Sequence, residues 1–498
     1  AQEVSGQIDE YQRQLTLRGE VSPEAARTMA EQAVIDARRR DTAHKRRQAT
    51  LQVIRTHQAS QNVLAHPRGI VAGIQALLVK DPMRAGYSNI DNRKSAVLAH
   101  LHSHFAEGLE KLRTKNLGLS QDIELARNMV RELFGIDSKS TAAKQAARLW
   151  SETAEIARRR FNRAGGAIPK REDWGMPQWH DPVRVTRAAP RLPGLRNRFR
   201  GARDFVEGKR RWIEDITPLL DRGRMLNDAG VPMNDAEYRI MMDKMYDTIR
   251  TNGLSDLLPG RQGGTKLANR HQDHRVLAFK DAESWLTYAD KYGHADIYTT
   301  LTDHLNSMAS DIAKLEILGP NPEATFRYLR DLALKKGELQ GVVEKSRLDS
   351  IWNVVSGKAD AVSNVLFADG AAAVRAYLTS AMLGGAFLSA IADLSFLGKT
   401  TLYNGLSAVR TYRRQLSLMN PANAADRLAA VKMGLGADAW ITRALAANRY
   451  VEITGAGFSA KVADFTMRAS LLSLWTDAGR KAFGMEFMAV LAEQMGRN

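Results

Sequence analysis

Residues 24–58 read EAARTMAEQAVIDARRRDTAHKRRQATLQVIRTHQ and contain neither Gly nor Pro. Ser22 and Pro23 precede this run, and the pair is typical of a helix start, because Ser caps early backbone N–H groups and Pro fits the first helical position. Helix-forming residues dominate the run, and its apolar residues recur at helical spacing. The stretch therefore predicts one long helix, and it favours a mainly α fold class.

Similar patterns cover most of the 498 residues, a length that favours two to four domains. We expect an extended, multi-helix, multi-domain architecture with one long irregular segment and little or no β structure. The best strand candidate is the short run VLAF at 276–279. The predicted divisions are an N-terminal helical domain with a basic helix at 1–164, an irregular Pro-, Trp- and Arg-rich segment at 165–205, a central helical domain at 206–349, and an apolar Ala- and Gly-rich helical domain at 350–498.

The chain carries a net charge of +17 at pH 7, which favours a polyanionic partner such as DNA, RNA or an anionic membrane. The alternatives are a generally basic protein without such a partner and, for each cluster, a solvated helix face. No groove-entering motif is recognisable, so we expect sequence-independent contact with duplex DNA that weakens with salt. The predicted nucleic-acid contacts are Arg38, Arg39, Arg40, Lys45, Arg46, Arg47, Arg158, Arg159, Arg160, Arg196, Arg198, Arg200, Lys209, Arg210 and Arg211.

The stretch GGAIPKREDWGMPQWHDPVRV at 165–185 interrupts the helical pattern with three prolines and two tryptophans. One interpretation is a hydrolytic site, because burial beside Trp raises a carboxyl pKa and a His-Asp pair can exchange protons. Its candidate residues are Glu172, Asp173, His180 and Asp181. The other interpretation is a rigid structural loop, because adjacent side chains seldom point together. We predict the structural loop, formed by Trp174, Pro177, Trp179, His180 and Asp181, and no catalytic residue.

Several other site classes are excluded or weakly supported. The chain has no cysteine, which excludes disulfides, thiolate metal sites and cysteine nucleophiles. His100 and His104 share a helix face, but a zinc site needs a third ligand. The run GRQGGTK at 260–266 lacks the spacing of a phosphate-binding loop. We therefore predict no metal and no cofactor.

Residues 376–392, AYLTSAMLGGAFLSAIA, form an uncharged stretch slightly shorter than the roughly 20 residues that span a bilayer. Small residues at this spacing allow close helix approach in lipid or in protein. Two interpretations therefore stay open, a buried helix in a bundle and a membrane contact. The residues predicted to pack in the bundle or against the membrane are Leu383, Gly384, Gly385, Phe387 and Leu388.

Three segments together resemble one family of proteins. They are GGAIPKREDWGMPQWHD at 165–181, the run from HRVLAFKD to LGPNP at 274–322, and LTSAMLGGAFLSAIADLSFLG at 378–398. In that order they resemble the internal virion proteins, or ejection proteins, of tailed bacteriophages and related prophage polyproteins. The resemblance covers roughly residues 140–410.

The resemblance implies a mostly helical protein that is packed inside the capsid and expelled with the genome. Such proteins help to form a conduit for DNA across the host periplasm and inner membrane. The implied partners are double-stranded DNA, other virion proteins such as the portal, the host inner membrane, and further copies of the chain. Some members carry a lytic transglycosylase domain, but nothing here resembles its catalytic Glu motif. The start at Ala rather than Met fits a piece of a longer chain.

Overall fold

The fold is given by a computed structural model. The structure describes residues 2–17, 22–79, 87–112, 122–168, 170, 176–186, 202–225, 233–250, 267, 277–293, 296–357, 394–420, 423–433 and 472–495.

These residues form seventeen α-helices, which confirms the prediction of a mainly α, multi-helix protein. The first nine are α1 (Gln2–Leu17), α2 (Pro23–Leu64), α3 (Ile70–Leu78), α4 (Ile90–Leu112), α5 (Ile123–Leu133), α6 (Thr141–Arg163), α7 (Pro182–Thr186), α8 (Ala202–Ile216) and α9 (Asp235–Arg250). The others are α10 (Ala282–Tyr292), α11 (Ile297–Leu318), α12 (Pro322–Lys335), α13 (Val342–Ser356), α14 (Leu394–Tyr403), α15 (Ala408–Met419), α16 (Ala424–Lys432) and α17 (Leu472–Met495).

Helix α2 is the long helix that the sequence predicts. Its 42 residues correspond to a length of about 63 Å. The helix begins as expected, because the Ser22 side chain accepts a hydrogen bond from the Ala25 N–H and Pro23 is the first helical residue. Helix α1 packs antiparallel along the first half of α2, where Gln12 donates to the Pro23 carbonyl over 3.2 Å. The second half of α2 packs on α3, α11 and α12.

The largest hydrophobic core is built from α4, α5, α6, α7, α8, α9, α10 and α11. Trp150 is fully buried in it, with its ring centroid 5.4 Å from that of Phe105. Met176, from the irregular segment, and Trp212, from α8, belong to the same core. The predicted division at 165–205 is therefore not marked by a break in the core, and it stays a prediction.

Two smaller cores complete the described structure. The second joins the C-terminal end of α2 to α3, α11, α12 and α13, and Phe326 stacks on Trp352 there with ring centroids 4.6 Å apart. The third joins α15 to α17 through Leu418, Ala478 and Ala482.

No β-strand occurs in the parts of the chain that the structure describes. Of the strand candidate at 276–279, residues 277–279 are described, and Phe279 forms only an isolated bridge with Leu220. The strand prediction is therefore wrong for these residues. Among the described helices, none is both long and apolar enough to cross a membrane. The apolar stretch 376–392, with Leu383, Gly384, Gly385, Phe387 and Leu388, lies outside the described residues.

Candidate nucleic-acid interface

The basic segment of α2, residues 38–47, lies between the part that contacts α1 and the part that contacts the rest of the protein. Buried positions of α2 include Ala30 before the segment and Gln48 after it, whereas all six Lys and Arg side chains between them are exposed. At about 100° per residue, positions seven apart lie nearly above one another. The six side chains therefore form three rows, which are Arg38 with Lys45, Arg39 with Arg46, and Arg40 with Arg47.

These rows cover more than half of the circumference of α2, and they lie away from its packed face. Few acidic groups neutralise them. Lys45 pairs with Asp41 at 2.7 Å, and Arg39 lies 4.0 Å from Asp36. Arg38, Arg40 and Arg46 make no ion pair with any described carboxylate. The segment therefore presents a concentrated positive charge to solvent.

The cluster Arg158, Arg159 and Arg160 on α6 is paired within the chain. Arg158 forms two hydrogen bonds with Glu155, at 2.7 and 2.9 Å, and a third with the Ile168 carbonyl. Arg159 also bonds Glu155. These arginines hold the pKa of Glu155 down at about 2, chiefly through the Arg158 hydrogen bond.

Arg160 makes a two-point contact with Glu316 of α11, at 2.8 and 3.1 Å. The Glu316 side chain is only 19% exposed, and Arg93 approaches it to 3.6 Å. Arg158 and Arg160 thus join elements of the fold and do not belong to the exposed basic segment.

Lys209, Arg210 and Arg211 on α8 have mixed surroundings. Lys209 pairs with Asp243 at 2.9 Å, and Arg210 pairs with both Glu207 and Glu214. Arg211 donates to the Arg184 carbonyl over 3.3 Å. The remaining predicted contacts, Arg196, Arg198 and Arg200, lie outside the described residues.

His180 and Asp181 of the irregular segment contact different partners. The His180 Nδ1 atom lies 2.8 Å from the Tyr288 hydroxyl, which also accepts a hydrogen bond from Trp212 over 3.0 Å. Asp181 is buried, and its carboxylate accepts from the Arg184 N–H at the start of α7. These contacts tie both side chains to neighbouring parts of the fold.

Further contacts fix this segment to the largest core. The Asp181 N–H donates to the Tyr292 carbonyl over 2.9 Å, and Gln178 donates to the Leu277 carbonyl over 2.7 Å. Pro177 is buried and Trp179 is partly buried. Burial also raises the pKa of the Tyr288 hydroxyl well above its usual value, so it stays protonated. These contacts are typical of a structural loop.

The other predicted residues of this segment lie outside the described residues. They are Trp174 of the structural loop, and Glu172 and Asp173 of the hydrolytic site. Within the described ranges, no three His, Asp or Glu side chains lie close enough together to hold a metal ion. His100 and His104 do come together, with ring centroids 4.8 Å apart.

Two glutamines that the sequence did not single out position the basic segment. The Gln48 amide donates to the Gly165 carbonyl over 2.9 Å. The Gln52 amide donates to the Leu318 carbonyl over 3.2 Å and accepts from the Asn321 N–H. Both therefore bind backbone groups at helix ends, which have no partner within their own helix. Their spacing of four residues on one helix face is the only signal in the sequence.

No protein-family description, curated protein or solved structure matches this chain.

Proposed function

We propose that the protein is a structural virion protein of the ejection type, which contacts double-stranded DNA without reading its sequence and helps to form a conduit for genome entry. The observation that supports the DNA contact is the exposed basic segment of α2. Its residues 38–47 include six cationic side chains and only one acidic side chain, Asp41. Phosphate contacts need only such charges, whereas sequence reading needs groups aimed at base edges.

The chemistry of the segment favours duplex over single-stranded DNA. Single strands are usually held by aromatic side chains that stack on unpaired bases. Residues 38–47 contain no Phe, Tyr or Trp. The segment therefore suits the phosphate backbone of duplex DNA better than the unpaired bases of a single strand.

The resemblance to ejection proteins supports the rest of the proposal. On this basis the protein lies inside the capsid, and later in the host periplasm and inner membrane. Its further partners are the portal or other ejection proteins, the host inner membrane, and other copies of the chain. The charge of +17 is compatible with packing beside a genome.

The direct test is duplex binding by the full chain, measured by fluorescence anisotropy with two unrelated DNA sequences. If all six cations contact phosphates, the affinity falls about a thousandfold between 50 and 200 mM salt, equally for both sequences. Changing all six to Gln is expected to weaken binding by at least about a hundredfold at low salt. A flat salt response would contradict the proposal.

A charge-matched variant controls for the loss of six charges. It carries Gln at six exposed cations outside the basic segment, which are Arg148, Arg327, Lys335, Lys336, Arg413 and Arg480. This control should retain most of the affinity, because its net charge equals that of the test variant but the segment is intact. Equal losses in both variants would mean that binding follows net charge alone.

Cryo-electron microscopy of the native assembly tests the virion assignment. We expect density for the chain inside the capsid, beside the packaged genome. Density only on the outer surface, or absence from purified particles, would exclude the ejection role and leave the DNA contact to be judged by the binding measurement.

A further inference from the structure

Helix α2 meets the C-terminal end of α6 where the basic segment ends. The Arg47 guanidinium donates to the Arg163 carbonyl over 3.2 Å, and Gln48 binds the Gly165 carbonyl. A guanidinium at this position is stabilised by the negative end of the α6 dipole. Gly165 also allows close packing, because a Cβ atom there would lie only 2.6 Å from Pro320 and 3.4 Å from the Leu51 side chain of α2. The relative position of α2 and α6 is therefore fixed at this point.

Arg163 contributes a second exposed arginine at this junction of α2 and α6. The backbone carbonyl of Arg163 is the group that Arg47 contacts, so the two residues are immediate neighbours on different helices. The carboxylates that pair with the preceding arginines of α6, one on α6 itself and one on α11, are already used. Glu155 binds Arg158 and Arg159, and Glu316 binds Arg160.

No ion pair joins Arg47 or Arg163 to a carboxylate in the described part of the chain. Two neighbouring cations that lack acidic partners repel each other, and an anion placed between them relieves that repulsion. The row of Arg40 and Arg47 on α2 leads directly to this position.

We propose that Arg40, Arg47 and Arg163 form one phosphate-binding surface, which crosses from α2 to the end of α6 and follows the backbone of one DNA strand. This inference rests on the proposed duplex contact and adds Arg163 as a binding residue. It also gives Gln48 the role of a positioning residue, since its contact with Gly165 holds the two helices together. The surface is composite, so neither helix alone would provide it.

The test is the slope of log affinity against log salt for the full chain on a 30-base-pair duplex. Each lost phosphate contact lowers the slope by about 1. Arg163→Gln should therefore lower it by about 1, as should Arg47→Gln, and the double variant by about 2. Arg163→Lys keeps the charge and should keep the slope, which separates charge from any structural effect. Arg148→Gln is the matched control, because Arg148 is an exposed arginine on the same helix.

The outcomes separate this inference from the proposed function. If Arg163→Gln behaves like Arg148→Gln while the six-residue α2 variant loses binding, the composite surface is wrong and the DNA contact stands. If both single α6 variants lower the slope equally, binding is a diffuse charge effect and the surface is also wrong. If the wild-type chain does not bind duplex DNA, the proposed function fails and this inference fails with it.

Discussion

The sequence Ala-Arg-Arg-Arg occurs twice in this chain, at 37–40 and at 157–160, and its two copies have opposite surroundings. On α6, Arg158, Arg159 and Arg160 all bind carboxylates, one of them on another helix. On α2, the same three residues project into solvent, and only Arg39 has an acidic neighbour, at 4.0 Å. Identical tetrapeptides are therefore paired with carboxylates of the fold in one place and exposed to solvent in the other.

The difference arises from the residues around each copy. Glu155 lies three and four residues before Arg158 and Arg159, a spacing that brings side chains together on a helix. Ala157 and Phe161 are fully buried, so this part of α6 is held against α11 and its Glu316. Around 37–40 on α2 no neighbouring position is comparably buried. The number of arginines is the same in both copies, so only their carboxylate partners distinguish the copy that stabilises the fold from the copy that is exposed.

Removing one arginine from each copy should give the largest contrast in stability. We expect Arg160→Ala to lower the free energy of unfolding by about 2 kcal/mol, a value between those of exposed and buried ion pairs. The loss arises because the substitution leaves the largely buried Glu316 with only the longer contact to Arg93. Arg40→Ala should have no measurable effect. Urea denaturation followed by circular dichroism measures both.

The two variants are matched, because each replaces an arginine by alanine in a helix interior and so changes helix propensity equally. Equal destabilisation by both would show that the α2 copy is also part of the fold. The availability of Arg40 for DNA would then lose its support.

The sequence predicted the local part of this structure well. The predicted start of α2, with Ser22 as the cap and Pro23 as the first helical residue, is confirmed, because it depends on residues only a few positions apart. The Arg158 and Arg159 pairs with Glu155 could also have been read from spacing.

The long-range contacts could not be predicted in this way. Arg160 and Glu316 are separated by 156 positions, and His180 and Tyr288 by 108. Such pairs are set by how helices pack, which depends on the whole core rather than on a motif. The same reason explains why Arg158 and Arg160 looked like surface contacts in the sequence, and why Gln48 was not recognised as a positioning residue.

Low pH should break the ion pairs of Glu155 on α6, and this loss gives a second difference in stability between the α6 and α2 copies. The folded pKa of Glu155, about 2, lies below its usual value of 4.5. This pair therefore contributes its full stability above about pH 4.5 and loses it as the pH falls towards 2. Glu155→Gln should lower the melting temperature modestly at pH 7, and its difference from wild type should shrink between pH 4.5 and 2.

The matched comparison is again Arg40→Ala, whose melting temperature should follow that of the wild type throughout this range. No described carboxylate pairs with Arg40, so there is no pair for acid to break. A gap between Glu155→Gln and wild type that stayed constant with pH would mean that Glu155 stabilises α6 by packing and not by charge.

The smallest of the predicted effects should come from placing a carboxylate beside the arginines of the α2 copy, and it is an effect on duplex affinity. Ala43→Glu places a carboxylate four residues after Arg39 and three after Arg40, at an exposed position. Side chains at these spacings interact, so the new group should compete with phosphate for both arginines. We expect duplex affinity to fall several-fold and the salt slope to decrease by about 1, with little change in stability.

Ala43→Gln is the control, because it matches the size of Glu without its charge and should bind like the wild type. Unchanged binding by Ala43→Glu, in a chain that still loses affinity when all six cations are removed, would place the DNA on the Arg38 and Lys45 side of α2. A loss in both variants would instead indicate a steric contact at Ala43. Only a loss confined to Ala43→Glu supports the view that the two copies of Ala-Arg-Arg-Arg differ in function because the α2 copy has so few carboxylate partners.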